Sequence, residues 1–370
     1  MYYNKLQQAL TTHILWELQN MPDNSRTHFI KVPLENPSQS KLVHPASMDL
    51  SRPCILILGG ENTDTQNWAH NYCISIAKAL HLNGIKDGLD IYSVYYKLSD
   101  RDSGLDRLNL FRKFRNTQNL TDYGNGLTMT EITHTNQSYT LSNVFPNYIY
   151  DIFNFAFIPH LFKCHNPMSP KEIKENFRKM IVFTHCHGAY VLRMIEDYMI
   201  QESNRLTPSR EDMYDIQKSI LAINHAPFAP LEQCKFSAVS FTSASDTQLN
   251  YYNELSYHMR KSPNKFKPAF FGQKFGNVMI TSRIKEDITK EHSQVGLSGD
   301  PRDEHTLTEN GKILFATERN ALLEGTRAML ANKPIPTIQK LISAPDKCFD
   351  FYDFKSRGLQ ICTDLGIKTR

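Results

Sequence analysis

A cysteine lies between two histidines in the stretch Thr-His-Cys-His-Gly, residues 184–188. The apolar run 180–185 ends there, and an amphipathic helical pattern follows at once. A tight turn from a parallel strand into a helix projects its central side chain above the carboxyl edge of the sheet, and it needs small neighbours two residues away. Because Thr184 and Gly188 are those neighbours, the pattern predicts a nucleophilic thiol at Cys186.

The start of the predicted helix would support a thiolate. Backbone N–H groups and the positive end of the helix dipole both favour an ionised sulfur. The backbone N–H of His187 is expected to face the position where an oxyanion develops during acyl transfer. A second donor is expected from the turn after the first apolar run, at Gly60 and Glu61. These groups together predict acyl-transfer chemistry.

The two flanking histidines also suggest a metal site. Adjacent residues on a tight turn point to different sides, and no spaced Cys/His pair accompanies them, so the metal interpretation is disfavoured. We expect His185 to pack behind the turn and His187 to line the cleft. The other alternative is a structural cysteine in an inactive turn, because free cysteine is among the most buried residue types.

Composition limits the classes of protein to consider. A chain of 370 residues can hold one large core with an insertion, or two ordinary domains. The formal net charge of +4 is too small to indicate a nucleic-acid partner. The 7 cysteines are widely spaced and form no CxxC, which favours a reducing compartment. No secretory leader and no apolar run of about 18 residues is visible, so a cytoplasmic protein without a transmembrane segment is expected.

Short apolar runs alternate with helical patterns after residue 53. The runs predicted to be strands are residues 54–60, 88–96, 180–185, 219–228, 236–246 and 276–284. Apolar residues at helical spacing separate several of them, at residues 67–84, 189–202 and 309–331. Strands that alternate with helices predict the α/β class, with a doubly wound, mainly parallel sheet.

The predicted α/β domain spans residues 51–335, between an N-terminal helical extension at 1–50 and a C-terminal extension at 336–370. An insertion at 97–177 breaks the alternation and becomes aromatic over 143–162. The aromatic part predicts either a lid over a cleft or a helix packed on the core. Packing is favoured because aromatic stripes at helical spacing usually belong to a core. As a lid, it is a candidate for peripheral membrane contact.

Residues 184–188 match the frame Gly-x-Ser-x-Gly, which marks the nucleophile turn of the α/β-hydrolase family. The chain therefore resembles lipase- and esterase-like α/β-hydrolases, with Cys186 at the serine position and Thr184 at the first glycine. Cysteine hydrolases, dienelactone hydrolases among them, occur in this family. The resemblance covers residues 50–330 as a pattern of elements, and it implies an α/β-hydrolase fold with a lid-like insertion.

The order of the family triad, nucleophile then acid then histidine, implies roles for other residues. Asp246 ends the predicted strand 236–246, where the family places its acid, although it is also a candidate helix N-cap. His305 precedes the last helical pattern, where the family places its base, and His292 is the alternative base. His225 precedes the acid, so it is expected to be a cleft-wall or buried histidine.

The resemblance implies a hydrolase or acyltransferase that cleaves ester or thioester bonds through a covalent acyl-enzyme, without a cofactor. Its expected substrate is a small acyl compound, with lipids included. Two alternatives remain open. One is a catalytically inactive hydrolase-like binding protein, and the other is a cysteine protease that uses the same triad.

Overall fold

The computed structural model describes residues 27–43, 48–60, 72–73, 76–77, 79–81, 83–96, 147–163, 166–185, 187–203, 209–225, 235–241, 312–337 and 340–341. Among the predicted site residues, Gly60 and His187 lie within these ranges. The others, which lie outside the described residues, are Glu61, Cys186, Asp246, His292 and His305. The predicted strand 276–284 also lies outside them.

A seven-stranded sheet forms the centre of the described structure. Its strands are β1 (Thr27–Pro33), β2 (Lys41–Val43), β3 (Cys54–Leu58), β4 (Asp90–Tyr96), β7 (Met180–His185), β8 (Leu221–His225) and β9 (Ser237–Phe241), and β5 (Phe162–Lys163) pairs separately with β6 (Asn166–Pro167). The strand order is β2-β1-β4-β3-β7-β8-β9. Strands β4, β3, β7, β8 and β9 pair in parallel, whereas β1 is antiparallel to both of its neighbours. The α/β class and the mainly parallel sheet are therefore confirmed.

Residues 27–43, which fall in the predicted N-terminal helical extension, form two strands of this sheet. β1 pairs along its whole length with β4, and all of its residues except Lys31 are buried. Lys31 lies 2.8 Å from the buried carboxylate of Asp90. Polar residues interrupt the apolar run of β1, which is why its sequence does not show the continuous hydrophobicity of a central strand.

The helices that cover the sheet lie between residues 147 and 330, and further helical residues lie between 72 and 81. They are α1 (Asn147–Ile152), a π-helical turn (Phe153–Phe157), α2 (Ile158–Leu161), α3 (Pro170–Phe177), α4 (His187–Gln201), α5 (Arg210–Gln217) and α6 (Lys312–Leu330), together with the helical residues 72–73, 76–77 and 79–81. α4 and α6 correspond to the predicted helices at 189–202 and 309–331. Within the described ranges, no helix has the length and apolar character needed to cross a bilayer.

Side-chain capping fixes where two of these helices begin. Ser169 precedes α3, and its hydroxyl accepts a hydrogen bond from the backbone N–H of Glu172, whose carboxylate accepts in return from the backbone N–H of Ser169. Ser209 caps α5 by accepting from the backbone N–H of Asp212. Such caps satisfy backbone donors that have no partner inside the helix. Along the chain, α3 directly precedes β7, and α5 directly precedes β8.

Helices cover both faces of the sheet. Successive strand residues point to opposite faces, so every central strand contributes to two apolar clusters. On the first face, Val182 packs in a cluster with the helices around Phe155 and with α4. On the second face, Ile181 packs in a cluster with α6 and with the helical residues near Ala77. Burial on both faces explains why the parallel strands are continuous apolar runs.

The aromatic segment packs on the first face of the sheet. Phe155 stacks on Phe29 with ring centroids 3.6 Å apart and meets Tyr92 edge-on at 5.7 Å. Its backbone carbonyl also accepts a hydrogen bond of 3.1 Å from the N–H of Met48. These contacts agree with the packing interpretation of this segment. Residues 97–146 of the predicted insertion lie outside the described residues, so a lid formed by them stays a prediction.

We expect Phe155→Ala to lower the free energy of unfolding by about 3–5 kcal/mol, because it removes a buried ring and leaves a cavity. Urea denaturation followed by circular dichroism measures the change. Leu330→Ala is the control: Leu330 is 38% exposed, and its loss should change stability by less than about 0.5 kcal/mol. Equal stability of Phe155→Ala and wild type would contradict the core position of the aromatic segment.

Candidate functional site

The carboxyl ends of β3 and β7 mark the point where the chain changes direction across the sheet. From β3 the chain continues to β4 on one side, and from β7 it continues to β8 on the other side. Ligands of open α/β sheets bind at such a switch point, outside the carboxyl ends of the strands. Leu58 of β3 pairs with Thr184 of β7, so the residues that follow each strand lie beside one another.

A single residue separates β7 from α4. β7 ends at His185 and α4 begins at His187, so the strand-to-helix turn predicted from the sequence is present at this edge. Cys186 itself lies outside the described residues, as do Asp246, His305, His292 and Glu61. The structure therefore describes the frame of the predicted site, which consists of both flanks of the turn and the end of β3.

Gly188 allows α4 to approach the backbone of β3. A Cβ at this position would lie 2.0 Å from the carbonyl oxygen of Leu58 and 2.8 Å from that of Gly59. Both are backbone atoms, which cannot move aside as the end of a side chain can, so only glycine fits. The contact seats the start of α4 against the loop that contains Gly60. The two segments predicted to supply oxyanion donors, at His187 and Gly60, are thus neighbours.

Thr184 is held by a ladder of hydrogen bonds across three strands. Its hydroxyl donates to the side-chain carbonyl oxygen of Asn224 at 2.7 Å. The Asn224 amide in turn donates to the hydroxyl of Ser240 at 3.1 Å. The strand register pairs these three residues with one another. The ladder fixes the carboxyl ends of β7, β8 and β9, and it accounts for a threonine where the hydrolase frame has its first glycine.

His185 packs behind the turn on the second face of the sheet, as expected. It is buried, its Nδ1 hydrogen-bonds with the hydroxyl of Tyr72, and its ring lies 5.1 Å from that of His225. His225 is also buried, and its Nδ1 lies 2.9 Å from both carboxylate oxygens of Glu318. The histidine cluster thus consists of four side chains: Tyr72, His185, His225 and Glu318.

Glu318 was not among the predicted site residues. Its signal in the sequence is a carboxylate at helical spacing from the buried residues Ala321 and Leu322, on the apolar side of α6. A charged group there requires a buried partner, because an isolated charge inside a core is strongly disfavoured. Tyr72 carries a similar signal, since its polar hydroxyl occurs among the apolar residues of the predicted helix 67–84.

His187 contacts the aromatic residues of the first face. Its Nδ1 lies 3.2 Å from the hydroxyl of Tyr96, the last residue of β4, and its ring lies 5.2 Å from that of Tyr190. Burial lowers the pKa of His187 to about 4. The imidazole is therefore neutral at pH 7, so it offers hydrogen bonds to the site but no positive charge.

The cysteines within the described residues, Cys54 and Cys73, are poor nucleophiles. Cys54 and Cys73 are buried and outside any disulfide. Burial raises the pKa of the Cys73 thiol to about 12 and raises that of Cys54 further. Thiolate formation at neutral pH is negligible at both. In the described ranges, no group of three or more His, Cys, Asp or Glu side chains is arranged to hold a metal ion.

Comparison with known proteins adds no relatives, because the sequence matches no family model and no curated protein.

Gly188→Ala should destabilise the protein by several kcal/mol, because the new methyl group would collide with two backbone carbonyl groups. Gly84→Ala is the matched control. Gly84 has a φ of 86° and no atom within 4 Å of the position that an alanine methyl group would take, so its replacement should cost only about 1 kcal/mol of conformational free energy. Thermal and urea denaturation measure both variants. Similar losses in the two would contradict the close approach of α4 to β3.

Acidification should destabilise the fold partly through His187. Its folded pKa of about 4 lies below the unfolded value of about 6.5, so the unfolded chain binds the proton more tightly. Its contribution to stability is therefore complete above pH 6.5 and is lost as the pH falls toward 4. His187→Asn should flatten this part of the pH dependence in urea denaturation. His160, whose pKa burial lowers to about 3, remains as a second source of acid sensitivity. An unchanged slope would contradict the lowered pKa of His187.

Proposed function

We propose that the protein is a hydrolase or acyltransferase acting on ester or thioester bonds, with Cys186 as its nucleophile on an α/β-hydrolase type of core. The observation that carries the proposal is the one-residue turn between β7 and α4 at the switch point of the sheet, seated against β3 through Gly188. A residue on such a turn projects above the sheet edge, where a substrate can reach it.

The neighbours of the turn support acyl-transfer chemistry. In the nucleophile turn of hydrolases, one oxyanion donor is the backbone N–H after the nucleophile, and the other comes from the loop after the adjacent strand. The corresponding groups here are the N–H of His187 and an N–H from Gly60 or Glu61. The close approach of Gly188 to Leu58 and Gly59 brings these two segments together. Donors placed in advance where charge develops are a major source of rate acceleration.

The proposed acid and base, Asp246 and His305, belong to the part of the chain between the end of β9 and the start of α6. Asp246 follows shortly after Phe241, the last residue of β9, and His305 shortly precedes α6. In the proposed reaction, His305 takes the thiol proton while Asp246 orients the imidazole, with His292 as the alternative base. The thiolate attacks the acyl carbon, and the leaving alcohol or thiol takes the proton from the imidazolium. Water then hydrolyses the thioester with the same base.

The proposed substrate is a small acyl compound, with lipids in this class. A thiolate is a better leaving group than an alkoxide, so the site favours activated esters, thioesters or transfer to another acceptor. The insertion at 97–177 is proposed to contribute a lid over the site. If the thiol-reactivity test fails, the alternative is a catalytically inactive binding protein with the same fold.

Cys186 should react with iodoacetamide near pH 7, well below the range of an ordinary thiol, whose pKa is about 8.5. Labelling is read by mass spectrometry as a function of pH, and the buried Cys54 and Cys73 serve as internal controls. His305→Ala or His292→Ala should slow the reaction and thereby identify the base. An ordinary thiol profile that neither variant changes would reject the catalytic proposal and leave a binding protein.

A further inference from the structure

We propose that Glu318 and His225 are positioning residues for the turn that carries Cys186, acting through the ring of His185. The inference rests on the proposed function, and it adds a buried support beneath the proposed nucleophile. It concerns the histidine cluster, to which the proposed reaction assigns no role.

Strand register brings the two histidines together. His185 and His225 are the last residues of neighbouring parallel strands, and they pair directly. Their ring centroids lie 5.1 Å apart with an interplanar angle of 41°, a separation at which aromatic rings are in contact. Because His185 directly precedes Cys186 in the chain, a change in the position of its ring displaces the backbone that enters the turn.

Glu318 fixes the ring that His185 contacts. Both of its oxygens lie 2.9 Å from Nδ1 of His225, and the side chains of His225 and Glu318 are only 0% and 5% exposed. A carboxylate that accepts from Nδ1–H sets the tautomer and the orientation of an imidazole. Without it, the His225 ring would keep a buried donor with no acceptor and could rotate.

Packing alone does not account for a histidine at this position. Nε2 of His225 is buried, and it has no hydrogen-bond partner in the part of the chain that the structure describes. A buried polar atom without a partner is unfavourable. An apolar ring would fill the same space without this penalty. A role in orientation explains the pair better than a role in stability.

The end of β7 is held from both faces of the sheet. On the first face, Thr184 belongs to the hydrogen-bonded ladder with Asn224. On the second face, His185 contacts the hydroxyl of Tyr72 and the ring of His225. The two residues that lead into the turn are therefore both fixed by buried polar side chains. The side chains of the strand interior ahead of them, Met180 to Phe183, are apolar and buried.

α6 offers a matched control on the same helix face. Glu318, Leu322 and Gly325 follow the i, i+4, i+7 spacing of one face. Leu322 is buried in the second apolar cluster. At Gly325 a Cβ would lie only 2.6 Å from the Leu221 side chain, so the helix lies directly on the sheet there. Leu322→Ala therefore removes a packing contact one turn away from Glu318 and leaves the four side chains of the histidine cluster in place.

The test compares Glu318→Ala, Glu318→Gln and Leu322→Ala. Two readouts are measured in each full-length variant: the iodoacetamide labelling rate of Cys186 and hydrogen–deuterium exchange of a peptide covering residues 180–190. Glu318→Ala should slow labelling and speed local exchange by about tenfold, the effect of losing one buried hydrogen bond. Glu318→Gln keeps an acceptor for Nδ1–H and should stay within about threefold of wild type, while Leu322→Ala should stay within about twofold.

Equal changes in Glu318→Ala and Leu322→Ala, or no recovery in Glu318→Gln, would overturn the positioning role. If Glu318→Ala does not fold, His225→Phe replaces it, because this variant keeps the ring volume and loses the pair. His225→Phe should show the same slower labelling of Cys186 and the same faster exchange of residues 180–190. Wild-type values of both would overturn the inference. The wild-type labelling profile separates the two proposals: an ordinary thiol profile rejects the nucleophile, while exchange at residues 180–190 still decides whether the pair supports the turn.

Discussion

The steric contact between Gly188 and the backbone of β3 is the constraint that assembles the site. With the Cβ position of Gly188 only 2.0 Å from the carbonyl oxygen of Leu58, no other residue fits there. The missing side chain allows α4 to start immediately after β7 and to lie against the loop after β3. A turn of one residue, a helix N-terminus and a neighbouring backbone loop are thereby brought together at the switch point of the sheet.

Polar side chains are concentrated where the strands end. The interiors of β3, β7 and β8 are apolar on both faces, as the parallel strands of a covered sheet must be. At the carboxyl edge, the apolar side chains give way to polar ones: a hydroxyl–amide ladder on one face and the histidine cluster on the other. Buried polar groups of this kind must be matched with partners, so they specify one arrangement of the strand ends more strictly than apolar packing would.

The sequence predicts the parts of the fold that follow one simple rule. Central strands such as β7 are continuous apolar runs, and α4 and α6 show helical spacing, so all three are recognisable. β1 is not, because Lys31 and other polar residues interrupt it, and it is defined as a strand by its pairing with β4 and β2. The end of an apolar run, the helical pattern that follows it and the small residues Thr184 and Gly188 together predict the turn at Cys186. The sequence does not reveal a role for Glu318, because Glu318 is far from the turn in the chain and is connected to the turn only through His225.

The proposed reaction passes through a covalent acyl-enzyme on the residue at this turn, and that intermediate can be trapped. The protein is mixed with p-nitrophenyl acetate, quenched in acid during the first turnover, digested and analysed by mass spectrometry. We expect an acetyl group on Cys186 in wild type, and loss of both adduct and turnover in Cys186→Ala. Turnover that persists in Cys186→Ala, or wild-type protein that neither turns over the ester nor carries the adduct, would contradict a nucleophilic role for Cys186.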